Sequence, residues 1–126
     1  MTPHGTTSLY RLHLVREADY PYDTGTLTCS ASAAKFFRPL FEGLDREQMA
    51  VAFLDAKHRV IGVGIVSIGS LTASIVHPRE VFKPAIVSNA AAIIIAHYVS
   101  RHIMRVMFPA SLCGKGRWPA HEFWCP

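Results

Sequence analysis

The fold is decided by the stretch MAVAFLDAKHRVIGVGIVSIG, residues 49–69. Its two halves, MAVAFLD and RVIGVGIVSIG, are rich in the β-branched and apolar residues that favour strands. The short segment AKH joins them, and Asp55 directly before it suits a tight turn. The stretch therefore predicts an antiparallel hairpin at the centre of a sheet.

Two further elements are predicted before this hairpin. The segment SLYRLHLV, residues 8–15, alternates apolar and polar side chains as a half-buried strand does. The segment SASAAKFFRPLFEGL, residues 30–44, has apolar residues at helical spacing behind a serine cap, and Pro39 should end or kink that helix. A strand followed by a helix is thus expected to lead into the hairpin.

Three elements are predicted after the hairpin. A strand should run from Ser70 to about His77, and Pro78 then stands at a favoured first position of a helix. The apolar run AAAIIIA, residues 90–96, predicts a buried strand that ends at His97. The order β, α, β, β, β, α, β predicts one α/β or α+β domain.

Composition narrows the class of protein. At 126 residues and 50% hydrophobic, the chain is long enough to bury one core without disulfides. Its N-terminal sequence lacks the basic start and long apolar run of a signal peptide, so a cytoplasmic location is predicted. The cysteines are odd in number and form no CxxC pair, so neither a disulfide framework nor a cysteine zinc site is predicted; they are Cys29, Cys113 and Cys125.

The distribution of charge argues against two classes of partner. The net charge of +4 arises near the end of the chain, because residues 97–126 carry four basic side chains against Glu122 alone. The rest of the chain is nearly neutral and predicts no nucleic-acid-binding face. In the apolar run of residues 90–108, Arg101 and Arg105 interrupt the sequence before it is long enough to span a membrane, so no membrane partner is predicted.

The central part of the chain resembles a known family. Residues 44–97, LDREQMAVAFLDAKHRVIGVGIVSIGSLTASIVHPREVFKPAIVSNAAAIIIAH, are similar to the RadC-type JAB/MPN domain, with its LDxxNR turn, its SxGSLxASIVHPREVFKxAI segment and its strand ending in AH. The similarity extends upstream through LYRLHLVREADYPYD. It implies a cytidine-deaminase-like mixed sheet flanked by helices and incomplete at the C terminus, an α/β (α+β) fold. Residues 1–97 would hold an N-terminal extension and the partial domain, and residues 98–126 would form no domain.

The resemblance also implies a chemistry. In catalytic members of the wider JAMM metallopeptidase group this strand ends in HxHP, and its two histidines and a later aspartate hold one zinc ion with an open position for water. On this basis His97 is a zinc ligand and Glu47, just before the first hairpin strand, is the general base. The substrate would be a peptide or protein, cleaved at a peptide or isopeptide bond. The family is also associated with DNA repair.

The chain departs from the family directly after His97. RadC-type sequences read HNHPSGD there, whereas this chain reads HYVSRH, so Val99 stands at the second histidine, or Tyr98 if one residue has been deleted. Residues 98–126 contain no aspartate. His102 is five residues from His97, and neither strand nor helix spacing places both rings on one side. The sequence therefore predicts an incomplete zinc site.

A shifted reading frame offers one account of the tail. Read one base out of register, Ser111 to Cys125 can spell AVRERTLAGARILV, which is similar to the family helix LAVTRRLVEAGRILG. Some positions are forced, since Trp118 to Pro119 must give alanine. We hypothesise that the end of this chain is frameshifted.

Two functions remain open at this point. The first is a zinc metallopeptidase that uses Glu47 and a site based on His97. The second is a catalytically inactive JAB/MPN-type interaction domain or gene remnant, in which Glu47 is a solvated turn carboxylate and His97 a structural histidine. Missing cover over the strand at residues 91–96 would favour self-association.

Overall fold

Four strands form one antiparallel sheet in a computed structural model that describes residues 5–22, 25–69, 77–100 and 103–107. The elements in chain order are α1 (Ser30–Phe41), β1 (Gln48–Leu54), β2 (Val60–Ile68), α2 (Pro78–Val87), β3 (Ala92–Ser100) and β4 (Ile103–Met107). The strand order is β2-β1-β3-β4. The α+β class is confirmed. A mixed sheet contains both parallel and antiparallel pairs, and the strands that the structure describes pair only antiparallel.

The predicted hairpin is confirmed as β1 and β2, which pair from Gln48 opposite Ile68 to Leu54 opposite Val60. Its turn is held by Asp55, whose carboxylate accepts the backbone N–H groups of Lys57 and Arg59 at 2.8 and 2.9 Å. The Arg59 guanidinium donates to the same carboxylate at 2.8 Å. The Arg59 N–H is the main cause that lowers the pKa of the Asp55 carboxyl. The local turn chemistry read from the sequence therefore fixes this hairpin.

Helix α1 packs on one face of the sheet. Its apolar residues recur three or four positions apart, so Ala33, Phe37 and Phe41 share a buried stripe. That stripe meets the sheet residues Ala50, Ala52, Leu54, Ile94, Ala96 and Tyr98. The helix runs through Pro39, and the residue that caps its start is Cys29 rather than a serine. Gly43, at φ +77°, then turns the chain away from the helix.

Helix α2 covers the opposite face. It begins at Pro78, as predicted, and buries Val81 and Ala85 against Val51, Phe53 and Ile93. Because alternate strand residues point to opposite faces, β1 and β3 contribute to both cores. The sheet is thus enclosed by one helix on each side.

Two strand predictions along the chain have different outcomes. The strand predicted at residues 8–15 is wrong, because residues 5–22 form no strand and Leu9, Tyr10 and Val15 are exposed. An alternating pattern makes a strand only where a sheet edge pairs with it. The strand predicted from Ser70 falls mainly on residues 70–76, which lie outside the described residues.

The predicted end of β3 at His97 is also wrong. That strand continues to Ser100 and is followed by β4, which pairs with it antiparallel. Met104 and Val106 of β4 are buried in the α1 side of the core. The division into residues 1–97 and 98–126 stays a prediction. No helix within the described ranges is both long and apolar enough to cross a membrane.

Candidate active site

The register of β1 and β3 brings Glu47 and His97 together. In this register Met49 lies opposite His97 and Gln48 opposite Tyr98, so Glu47 precedes β1 at the end of the sheet where His97 stands. The distance from Glu47 Oε2 to His97 Nε2 is 3.2 Å. The two residues that the family resemblance singles out are therefore in hydrogen-bonding contact, although they are 50 positions apart in the chain.

The pair is partly shielded from water. The side chain of Glu47 is 12% exposed and that of His97 is 23% exposed. An ionised carboxylate has no proton to donate, so the imidazole N–H of this hydrogen bond is on Nε2 whenever Glu47 is ionised. The arrangement orients the ring of His97 and leaves its second nitrogen, Nδ1, outside this contact. Chemically, the pair can hold and pass a proton.

Hydrogen bonds to main-chain carbonyls hold Glu47 and the segment before it. The Glu47 carbonyl accepts the N–H of Gly69 at 2.8 Å, which ties it to the end of β2. Upstream, the carbonyl of Leu44 accepts the hydroxyl of Tyr98 at 3.2 Å. Sequence reasoning considered Tyr98 only as a replaced ligand and missed this contact. The available signal was the alternation along β3, which places Tyr98 on the face opposite His97.

The residues present do not fit a zinc ion. Among the described residues, no three His, Cys, Asp or Glu side chains are grouped so that they could hold a metal. Glu47 and His97 make two donors, whereas open catalytic zinc sites use three protein ligands. Val99, two residues from His97 and at the irregularity in the β3–β4 register, has no donor atom in its side chain. The roles predicted for Glu47 as base and His97 as ligand stay predictions.

The other candidate donors lie apart from this pair or outside the described residues. His77 is exposed at the start of α2, and Cys29 is exposed at the start of α1. Hydrogen bonds with Ser32 lower the pKa of the Cys29 thiol. His102 belongs to the part of the chain that the structure leaves undescribed, as do His121, Cys113 and Cys125.

Comparison with known proteins gives one consistent result. A family model described as "RadC-like JAB domain" matches residues 27–102, more than half of the chain. A UPF0758 protein of Rubrobacter xylanophilus is 39% identical over 87 residues, which cover 69% of this chain and 37% of the relative. A UPF0758 protein of Symbiobacterium thermophilum is 46% identical over 92 residues, 72% of this chain and 39% of the relative.

A shorter match has higher identity. A UPF0758 protein of Moorella thermoacetica is 54% identical over 54 residues, 43% of this chain and 24% of the relative. The chain spans less than two fifths of the length of these relatives. The family-model match covers the segment that contains α1, the hairpin, α2 and β3. The chain belongs to the RadC-like JAB domain family.

Proposed function

We propose that this chain is a RadC-type JAB domain whose family chemistry is zinc-dependent hydrolysis of peptide or isopeptide bonds, and whose own metal site is incomplete. The single observation that carries the first half is the 3.2 Å contact between Glu47 and His97. It joins the residue in the position of the family's general base to the residue in the position of its first zinc ligand. The second half follows from the valine at position 99, where the family has its second histidine, and from the lack of any aspartate in residues 98–126.

Glu47 and His97 can transfer a proton, but they supply no cation that would polarise the bond to be cleaved. Glu47 can take a proton from a water molecule, with its carboxylate oriented by His97, and such general-base assistance contributes roughly 10²- to 10⁴-fold to a rate. Metal-assisted hydrolysis needs in addition a cation that polarises the scissile carbonyl. Because His97 has no second ligand beside it on β3, we expect the isolated chain to hydrolyse peptides no faster than its Glu47→Gln variant.

Zinc content and peptidase activity test this proposal together. The purified chain is equilibrated with a zinc buffer, desalted and analysed for metal, then assayed with a fluorescence-quenched peptide and with an isopeptide-linked substrate. We expect well under one zinc per chain and no cleavage that depends on Glu47. One retained zinc per chain that is lost in His97→Ala but kept in His77→Ala, together with cleavage lost in Glu47→Gln, would contradict the incomplete site. His77 is the matched control because it is exposed at the start of α2.

A second candidate function is an interaction domain without catalysis. The observation that favours it is the exposed apolar segment before α1, in which Leu9, Tyr10 and Val15 are almost fully exposed. Contiguous apolar exposure of this kind marks association surfaces. Sedimentation velocity across a hundredfold range of protein concentration tests self-association. A monomer throughout this range would argue against self-association.

A further inference from the structure

Tyr98 joins β3 to the connection that carries Glu47. Its side chain is 7% exposed and lies in the core on the α1 side of the sheet. The ring stacks on Phe41, with centroids 5.5 Å apart and planes 24° apart, and the hydroxyl donates to the Leu44 carbonyl at 3.2 Å. Phe41 is the last residue of α1, so Tyr98 contacts both the end of the helix and the segment that follows it.

The connection between α1 and β1 is held at both ends, because Leu44 packs against the core on the α1 side and the Glu47 carbonyl accepts the N–H of Gly69 at 2.8 Å. Gly43 reverses the chain at φ +77°. Between these points Asp45 and Arg46 are exposed and pair with each other at 3.0 Å, so their side chains add no contact with the sheet. The Tyr98 hydroxyl adds a hydrogen bond from β3 to the main chain of Leu44, three residues before Glu47.

We propose that Tyr98 is a positioning residue, which holds Leu44 and so fixes the path by which Glu47 reaches His97. One strand then determines both halves of the pair, because neighbouring residues of β3 point to opposite faces. His97 contacts the Glu47 carboxylate on one face, while Tyr98 holds the main chain that carries Glu47 from the other face. The inference rests on the proposed function, since it concerns the same Glu47–His97 pair.

The test is the imidazole ¹⁵N spectrum of His97, recorded on the metal-free full chain. The Nε2 chemical shift reports the hydrogen bond to Glu47, and Glu47→Gln supplies the reference in which the charged partner is lost. Tyr98→Phe keeps the buried ring and its stacking on Phe41 but removes the hydroxyl, so the variant should remain folded. We expect its His97 Nε2 shift to move from the wild-type value toward the Glu47→Gln value.

Tyr20→Phe is the matched control. Tyr20 also donates its hydroxyl to a main-chain carbonyl, that of Phe36, at 2.5 Å, and its ring also packs on an aromatic residue of α1. It therefore repeats the chemical change of Tyr98→Phe away from the connection. We expect both variants to unfold at lower temperature than the wild type, and we expect Tyr98→Phe alone to move the His97 signal.

The outcomes separate this inference from the proposed function. If Glu47→Gln shifts the His97 signal and Tyr98→Phe does not, Tyr98 positions nothing and the pair stands without it. If Tyr20→Phe moves the signal as much as Tyr98→Phe, the effect is a general loss of packing and the inference fails. If Glu47→Gln leaves the signal unchanged, the Glu47–His97 contact does not form in solution, and the proposed function fails together with the inference.

Discussion

A histidine at position 99 should raise the zinc affinity of this chain. Val99 is half-buried in β3 and lies two residues from His97, at the point where the β3–β4 register shifts between Tyr98 and Ser100. In a regular strand such residues share one face with Cα atoms about 6.6 Å apart, and Val99→His tests whether that spacing is kept here. Zinc–nitrogen distances are about 2.0–2.1 Å, so two imidazoles at this spacing can reach one ion. Glu47 already lies 3.2 Å from His97. Val99→His would thus assemble two histidines and one glutamate, a set that catalytic zinc sites use.

The expected gain in zinc affinity can be bounded from the loss that follows when a residue that only orients a zinc ligand is removed. Removing a residue that only orients a zinc ligand lowers metal affinity by roughly 10- to 100-fold. A direct ligand contributes more, so we expect Val99→His to bind zinc at least about 100-fold more tightly than the wild type, about 2.7 kcal/mol. Competition against a chromophoric chelator at neutral pH measures the dissociation constants. Val99→Ala is the control, since it removes the same valine side chain and adds no donor.

A double variant decides whether the ion is bound where the geometry places it. Replacing His97 by alanine in the Val99→His background should return the affinity to that of Val99→Ala, because one imidazole is left. The reasoning is refuted if Val99→His binds zinc no more tightly than Val99→Ala. It is refuted equally if the gain persists after His97 is replaced, since the ion would then be bound elsewhere.

Two further predictions concern the fold that supports the site. Phe37→Ala should destabilise the chain by about 3–5 kcal/mol in urea denaturation, because Phe37 is fully buried between α1 and the sheet. The control is Phe82→Ala, at a half-exposed ring on α2, which should lower the free energy of unfolding by much less. Equal losses in the two variants would contradict the assigned core. The pKa of the Asp55 carboxyl is lowered in the folded state, so this group stabilises the fold at pH values above its ordinary pKa of about 3.9. The contribution is lost as the pH falls through the lower pKa of the folded state. Asp55→Asn should therefore flatten the decline of stability below about pH 4 in acid titrations of unfolding, and an unchanged decline would show that other carboxyls cause it.

The parts of the fold that could be predicted are those encoded locally. The hairpin needs β-branched residues on each side of a turn, and Asp55 supplies the turn by bonding the N–H groups of Lys57 and Arg59. The two helices follow from apolar spacing and from Pro78 at a helix start. The segment at residues 8–15 has an equally regular pattern, yet it forms no strand, because alternation does not provide a neighbouring edge.

In the candidate site, too, one contact could be predicted from the sequence and another could not. The pairing of Glu47 with His97 was predictable from the family resemblance, which places one before the first hairpin strand and the other near the end of the strand that pairs with it. Alternation along β3 could place Tyr98 on the face opposite His97, but its contact with Leu44 depends also on the register of β1 and β3 and on the path that Gly43 gives the connection. Spacing in the chain carries no information about that path.

Folding and metal binding place different demands on the residues after His97. A strand needs apolar side chains at alternate positions, and β4 meets that need with Met104 and Val106, which are buried against the α1 side of the core. A zinc site needs particular donor atoms at particular positions, and Val99 fails that requirement while remaining compatible with β3. A change of sequence, including a shift of reading frame, can therefore keep the sheet paired through Met107 and still remove the ligands. This difference explains how the described residues can keep the Glu47–His97 contact in a folded domain without forming a group that could hold a metal.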